Sequence, residues 1–125
     1  MNLQKTILVA EDEKFLANIY RVKFEKSGFK VLIAEDGEKT LEILAKERPD
    51  IILLDLVMPV KDGFEVLKEI KSNALLKDIP VIVASNLGQD EDIKRAKLLG
   101  ATDYFIKANM HLPELVSIVA KMLTA

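Results

Sequence analysis

Five short runs of consecutive apolar residues, separated by helical patterns, restrict this chain to very few folds. The runs centre near Leu8, Leu32, Leu53, Ile82 and Phe105. Their apolarity is continuous rather than alternating, which suits strands covered on both faces, as in a parallel sheet. A helical stripe follows each run. Phe15, Leu16, Ile19 and Tyr20, continued by Lys23 and Phe24, make the first, which Gly28 stops. Leu41, Leu44 and Ala45 stripe the second, between the Asp36-Gly37 turn and Pro49. Phe64, Leu67 and Ile70 stripe the third. Ile93, Ala96 and Leu99 make a weak fourth, stopped by Gly100, and Leu112, Leu115, Val116, Val119, Met122 and Leu123 a strong fifth.

The pattern is strand-helix five times over, with loops too short for a further domain. It predicts an α/β fold in which residues 1–125 form a single domain. The expected architecture is a doubly wound five-stranded parallel sheet with helices on both faces and right-handed crossovers. Periodicity leaves strand order open; the common five-stranded solution is the flavodoxin-like order 2-1-3-4-5.

In such a sheet the ends of the apolar runs share one edge, where open α/β sheets bind ligands. Thr6-Ile7-Leu8-Val9-Ala10 runs into Glu11 and Asp12, Ile51-Ile52-Leu53-Leu54 into Asp55, Val81-Ile82-Val83-Ala84 into Ser85, and Tyr104-Phe105-Ile106 into Lys107. Three carboxylates, a hydroxyl and an ammonium therefore converge on one crevice. Glu11 and Asp12 read either as ligands of a hard cation such as Mg²⁺, which takes oxygen donors, or as helix-capping acids that complement the dipole. Asp55 is the pivot. Beside two other acids it needs a bound cation to stay ionised, and it reads either as a nucleophile toward phosphorus or as a third metal ligand. Ser85 and Lys107 would supply donors to the oxygens of a phosphoryl group. Asp50 begins its strand after Pro49, about 17 Å from this edge by strand rise, and has no place in the site.

Composition narrows the function classes. Net charge is −2, with 18 basic and 20 acidic residues, which lacks the basic surplus of a direct nucleic-acid binder. Without cysteine there are no disulfides or thiolate metal sites, which fits a reducing compartment. Residues 1–5 enter the first strand with no apolar signal region, and no run approaches the ~18 residues that cross a bilayer. A cytoplasmic location with no membrane partner is expected.

With these residues in place, the chain resembles the receiver domain of two-component response regulators over its whole length. The match rests on Glu11-Asp12, Asp55 with Met58-Pro59 and Asp62-Gly63, Ser85, and Lys107 preceded by Tyr104. The resemblance implies that Asp55 is the phosphoacceptor, taking its phosphoryl group from a sensor histidine kinase, a phosphotransfer protein or a small donor such as acetyl phosphate. It implies that Asp12 and Asp55 hold Mg²⁺ (or Mn²⁺), with Glu11 partly through water and the backbone carbonyl of Val57 as a further ligand. Ser85 and Lys107 would bind the phosphoryl group, and Tyr104 would swing inward. Output would pass through the face of the fourth helix, fifth strand and fifth helix, to a protein target in trans or to a second copy of the phosphorylated chain. The protein would catalyse only its own phosphorylation and dephosphorylation.

Departures from the family pattern sharpen this reading. Ala108 follows Lys107 where the family has proline, so the lysine loop is expected to be shaped differently. The stretch 108–113 is longer than usual. In that family the side chains at the positions of Val57 and Leu87 border the path of the hydrolytic water; here both are apolar, which implies a long-lived phosphoryl group. Glu11 replaces the commoner aspartate.

His111, the single histidine, reads as ordinary surface, so a phosphodonor histidine must belong to a partner. Asp90-Glu91-Asp92 opens the fourth helix, and Lys94, Arg95 and Lys97 read as its solvated face. A haloacid-dehalogenase-like phosphatase would want an aspartate where Val57 stands. A flavin-binding protein would not place acids after the first strand. A degenerate, phosphorylation-independent scaffold would not keep the full residue set.

Overall fold

The computed structural model describes residues 4–124. The elements run β1 (Thr6–Ala10), α1 (Lys14–Lys26), β2 (Lys30–Ala34), α2 (Gly37–Leu44), β3 (Ile51–Leu54), α3 (Gly63–Ser72), β4 (Val81–Ser85), α4 (Asp90–Leu98), β5 (Asp103–Ile106) and α5 (Leu112–Thr124). All strand pairs are parallel, and the order is β2-β1-β3-β4-β5. This is the doubly wound, flavodoxin-like order expected from the sequence.

Strand side chains alternate between two apolar layers, which is why the runs are continuously apolar. Leu8, Ala10, Ile52, Leu54, Val81 and Val83 face the layer built with Leu67 and Ile70 of α3, Leu44 of α2 and Ala96 of α4. Ile7, Val9, Ile51, Leu53, Ile82 and Ala84 face Tyr20 and Phe24 of α1 and Leu115 and Val119 of α5. Each fully buried aliphatic side chain stabilises the fold by roughly 1.5–3 kcal/mol. β3 and β4 are buried throughout and β1 from Ile7 onward, whereas β2 and β5, at the sheet edges, are mostly half-covered.

Local signals set the helix starts. Asp36 caps α2 by accepting from the Lys39 N–H at 2.8 Å, and Asp62 caps α3 by accepting from the Glu65 N–H at 3.0 Å. Asp50 lies at the opposite sheet edge and accepts from the Thr6 N–H at 2.7 Å, which ties the starts of β1 and β3 together.

One expectation needs correction and another gains a contact. Phe15 is 82% exposed and does not belong to the buried stripe of α1, which is Ala17, Tyr20 and Phe24. At about 100° per residue it sits about 140° round the helix from Tyr20. Lys94, Arg95 and Lys97 are exposed, as expected of a solvated face, and the Arg95 guanidinium also lies 4.0 Å from the centre of the Phe64 ring, which joins α4 to α3.

Tyr20 is buried, and its hydroxyl has no hydrogen-bond partner among the described residues. Burial holds its pKa above the ordinary tyrosine value. Tyr20→Phe should therefore be neutral or stabilising, by up to about 1 kcal/mol in urea unfolding. A loss larger than that would mean the hydroxyl is bonded in solution.

Candidate functional site

Register brings the strand ends together. Ala10 pairs with Leu54, so Glu11 and Asp55 emerge side by side, and the Asp55 N–H donates to the Ala10 carbonyl at 3.0 Å. Leu54 pairs with Val83 and Ser85 with Ile106, which sets Ser85 and Lys107 along the same edge.

Glu11 and Asp55 are buried, 2% and 6% exposed, while Asp12 is open to solvent. The Lys107 ammonium bridges the two buried acids, 2.6 Å from Glu11 Oε1 and 2.8 Å from Asp55 Oδ2. The second oxygen of Glu11 accepts from the Glu13 N–H at 3.0 Å, and Asp55 Oδ1 accepts from the Val57 N–H at 3.2 Å. Burial pushes the Glu11 carboxyl above its ordinary pKa, with Lys107 and the Glu13 amide pulling the other way. Burial alone would pull the Lys107 ammonium down, but its bonds to Asp55 and Glu11 outweigh that and hold its pKa above the ordinary lysine value.

One oxygen each from Glu11, Asp12 and Asp55 lie within 4.8 Å of one another. Hard, anionic oxygen donors in such a cluster suit Mg²⁺ better than a soft metal. An open depression of about 310 Å³ is lined by Asp12, Asp55 and Val57, together with Glu13, Asn86 and Lys107. Glu11 lies behind this depression rather than on its wall. Glu13 and Asn86 were not singled out from sequence, although each directly follows a residue that was.

Ser85 is fully buried, and its Oγ accepts from the Leu87 N–H at 3.3 Å. The Tyr104 hydroxyl donates to the Leu87 carbonyl. Ser85, Leu87 and Tyr104 thus form one hydrogen-bonded chain from the crevice to β5. Burial, reinforced by the Asp92 charge, raises the Tyr104 pKa.

Among the described residues there is no cis peptide, so Lys107–Ala108 is trans, and a short 3-10 turn spans Lys107–Asn109. The lysine reaches both acids from this turn. His111 is exposed, and its carbonyl accepts the Leu115 N–H at the start of α5. No helix among the described residues is long and apolar enough to cross a membrane.

Residues 7–120 match the family model of the response regulator receiver domain. The alkaline phosphatase synthesis transcriptional regulatory protein PhoP of Bacillus subtilis is 34% identical over 105 residues, which are 84% of this chain and 43% of that protein. The phosphate regulon transcriptional regulatory protein PhoB of Escherichia coli is 34% identical over 105 residues, 84% of this chain and 46% of PhoB. The chain thus spans less than half the length of these curated relatives. Among solved structures, the receiver domain of the Francisella response regulator 1452 superposes with a TM-score of 0.86 at 31% identity, covering 97% of this chain and 100% of that one.

Removing one partner of a buried ion pair strands the other charge, so Lys107→Met should cost about 3 kcal/mol in Mg²⁺-free urea unfolding. The folded Lys107 pKa is raised. Its contribution is therefore complete below the ~10.4 of a free lysine and fades only as pH climbs through the folded value. The difference between parent and variant should therefore not fall between pH 7 and pH 9. A difference that halves over that range would sink this linkage.

Proposed function

The chain belongs to the response regulator receiver domain family, and on that premise we propose that it is a phosphorylation-activated signalling switch with Asp55 as phosphoacceptor. The observation that carries the reading is the pairing of Asp55 with both Asp12 and Lys107 at an open depression. One neighbour is an acid suited to a cation, and the other is an ammonium 2.8 Å from the Asp55 carboxylate.

In the proposed reaction an Asp55 oxygen attacks the phosphorus of a phosphohistidine. An oxygen–phosphorus bond forms, the phosphorus–nitrogen bond breaks, and the electron pair leaves with the imidazole of the donor. The donor is a sensor histidine kinase or a phosphotransfer protein, because His111 lies outside the crevice. Asp12, Asp55 and the Val57 carbonyl would hold Mg²⁺ (or Mn²⁺), with Glu11 acting through water. Bound there, Mg²⁺ supplies charge neutralisation for the phosphoryl oxygens. Lys107 turns its ammonium from the free carboxylate to the phosphorylated one, and the Ser85 hydroxyl moves to a phosphoryl oxygen.

The Ser85–Leu87–Tyr104 hydrogen bonds support an output route. A Ser85 that moves toward the phosphoryl group lets go of the Leu87 amide, and the loop that Tyr104 holds by the Leu87 carbonyl shifts with it. A newly added charge of about −1.5 to −2 is enough to reorder a loop by charge-assisted bonds. The neighbouring α4 is suited to respond, since Ala96 is its only buried residue. The α4–β5–α5 face would then engage a protein target in trans or a second phosphorylated copy.

Intact-mass spectrometry after incubation with acetyl phosphate tests the reading. The parent should gain one phosphoryl group only with Mg²⁺, and Asp55→Ala should gain none. A parent that stays unmodified with either acetyl phosphate or phosphoramidate, and binds no Mg²⁺, would refute it. Val57 is 58% exposed and Leu87 half-buried, and neither side chain can hydrogen-bond an attacking water. The phosphorylated form should therefore persist for minutes or longer; decay within seconds would show that other groups position the water.

A further inference from the structure

The loop between Asp55 and α3 holds a strained turn. Val60 has a φ of 70°, the one positive φ at a non-glycine residue among those described. For a β-branched residue that is a genuine outlier. The Lys61 N–H donates to the Pro59 carbonyl at 2.8 Å, so Pro59, Val60 and Lys61 close a three-residue γ-turn. Its positive-φ form is rare and strained. Strain of this kind persists only where the surroundings over-determine the conformation.

Two close approaches supply that constraint. At one end, Gly63 packs on the backbone of Asp55: a Cβ on Gly63 would lie 2.2 Å from the Asp55 carbonyl oxygen. The Gly63 N–H also donates to the Leu56 carbonyl at 2.9 Å. At the other end, the first residue of α2 packs on the turn itself. A Cβ on Gly37 would lie 2.0 Å from the Lys61 carbonyl oxygen and 2.8 Å from the Lys61 Cβ. Both are below any distance real Cβ contacts show, and the atoms they meet include backbone that cannot rotate away. The α2 terminus is itself fixed, because Asp36 caps it and the Thr40 hydroxyl donates to the Asp36 carbonyl at 2.8 Å. Met58, between the two ends, is anchored in the core.

We propose that Gly37 is a positioning residue for the Asp55 site, through a brace in which the α2 terminus holds the Val60 turn closed. Gly37 touches no reacting atom. It acts through the loop, because the Val57 N–H holds Asp55 Oδ1 at 3.2 Å and a displaced turn moves Val57. Valine at position 60 makes the brace necessary: a glycine there would hold the turn unaided, whereas valine leaves that conformation once the support goes. The Lys61–Glu69 pair at 2.6 Å is half-exposed and adds little by itself. This inference rests on the Mg²⁺-dependent reading of the site, which the test below separates from it.

The full chain, Gly37→Ala, Asp36→Ala and Asp36→Ala combined with Val60→Gly are compared by calorimetric Mg²⁺ titration and by metal-free amide hydrogen exchange. Gly37→Ala should unfold cooperatively, bind Mg²⁺ about ten-fold more weakly, as loss of supporting contacts around a metal site does, and lose protection at the Lys61 and Gly63 amides. Asp36→Ala loosens the same helix terminus without adding a clash and should show the same pattern of losses. Val60→Gly should restore most of the affinity and protection when added to Asp36→Ala, a coupling that a general loss of stability does not produce. Parent-like affinity and protection in a folded Gly37→Ala would overturn the brace, as would a loss in Asp36→Ala that Val60→Gly leaves unchanged. If Gly37→Ala fails to fold, the Asp36→Ala comparison decides the brace. A parent that binds no Mg²⁺ overturns the functional reading, while the metal-free amide protection still decides the brace.

Discussion

The rest of the site depends on one ammonium, that of Lys107, held between two buried carboxylates. Glu11 and Asp55 emerge from adjacent strands at the same level, so without a counter-charge they would face each other in low dielectric. Lys107 comes from β5, two strands from the strand of Asp55, and reaches both acids. The ion pairs are a weak argument for stability, because burial of charge is costly in itself. Their value is geometric. They aim Asp55 while Asp12 lies open at the solvent side, so two carboxylates of the cluster are already paired and the third is open.

The sheet edge concentrates function for a backbone reason. In a parallel sheet every strand ends on the same side, and the loop that follows is not bound by the ladder. Here those loops differ in rigidity. The β3–α3 loop is clamped by backbone packing on Gly37 and Gly63. The β4–α4 loop is tied through the Ser85–Leu87–Tyr104 hydrogen bonds, and leads into a helix that buries little. On the proposed reading, one loop holds a charge in place and the other responds to it.

Most of the fold was legible from residues whose neighbours in sequence determine their role. Continuous Val/Ile/Leu runs require cover on both faces, and Asp36 and Asp62 announce helix starts through bonds only three residues long. Legibility fell where a role depends on a partner far along the chain. Phe15 looked like core because apolarity is visible in sequence and its azimuth against a neighbouring sheet is not. Arg95 is exposed as read, but its contact with Phe64 was not legible because Phe64 lies on another helix. Ala108 pointed to a differently shaped lysine loop, and the peptide after Lys107 is trans, but that Lys107 reaches both acids from a 3-10 turn was not readable. The brace left no readable sign beyond a glycine after an aspartate.

The chain by itself determined the alternation of strands and helices, the acids, hydroxyl and lysine at the strand ends, and the resemblance those residues carry. Such features follow from local periodicity and side-chain chemistry, which tertiary context rarely reverses in a strongly patterned sequence. Only the tertiary structure decided that Lys107 pairs with Glu11 as well as Asp55, that Glu11 sits behind the depression while Asp12 opens onto it, and that Gly37 meets Lys61. Each of these is a distance between segments that the backbone brings together through strand register and helix packing. Distances of that kind are sums over many torsions, and no short stretch of sequence encodes them.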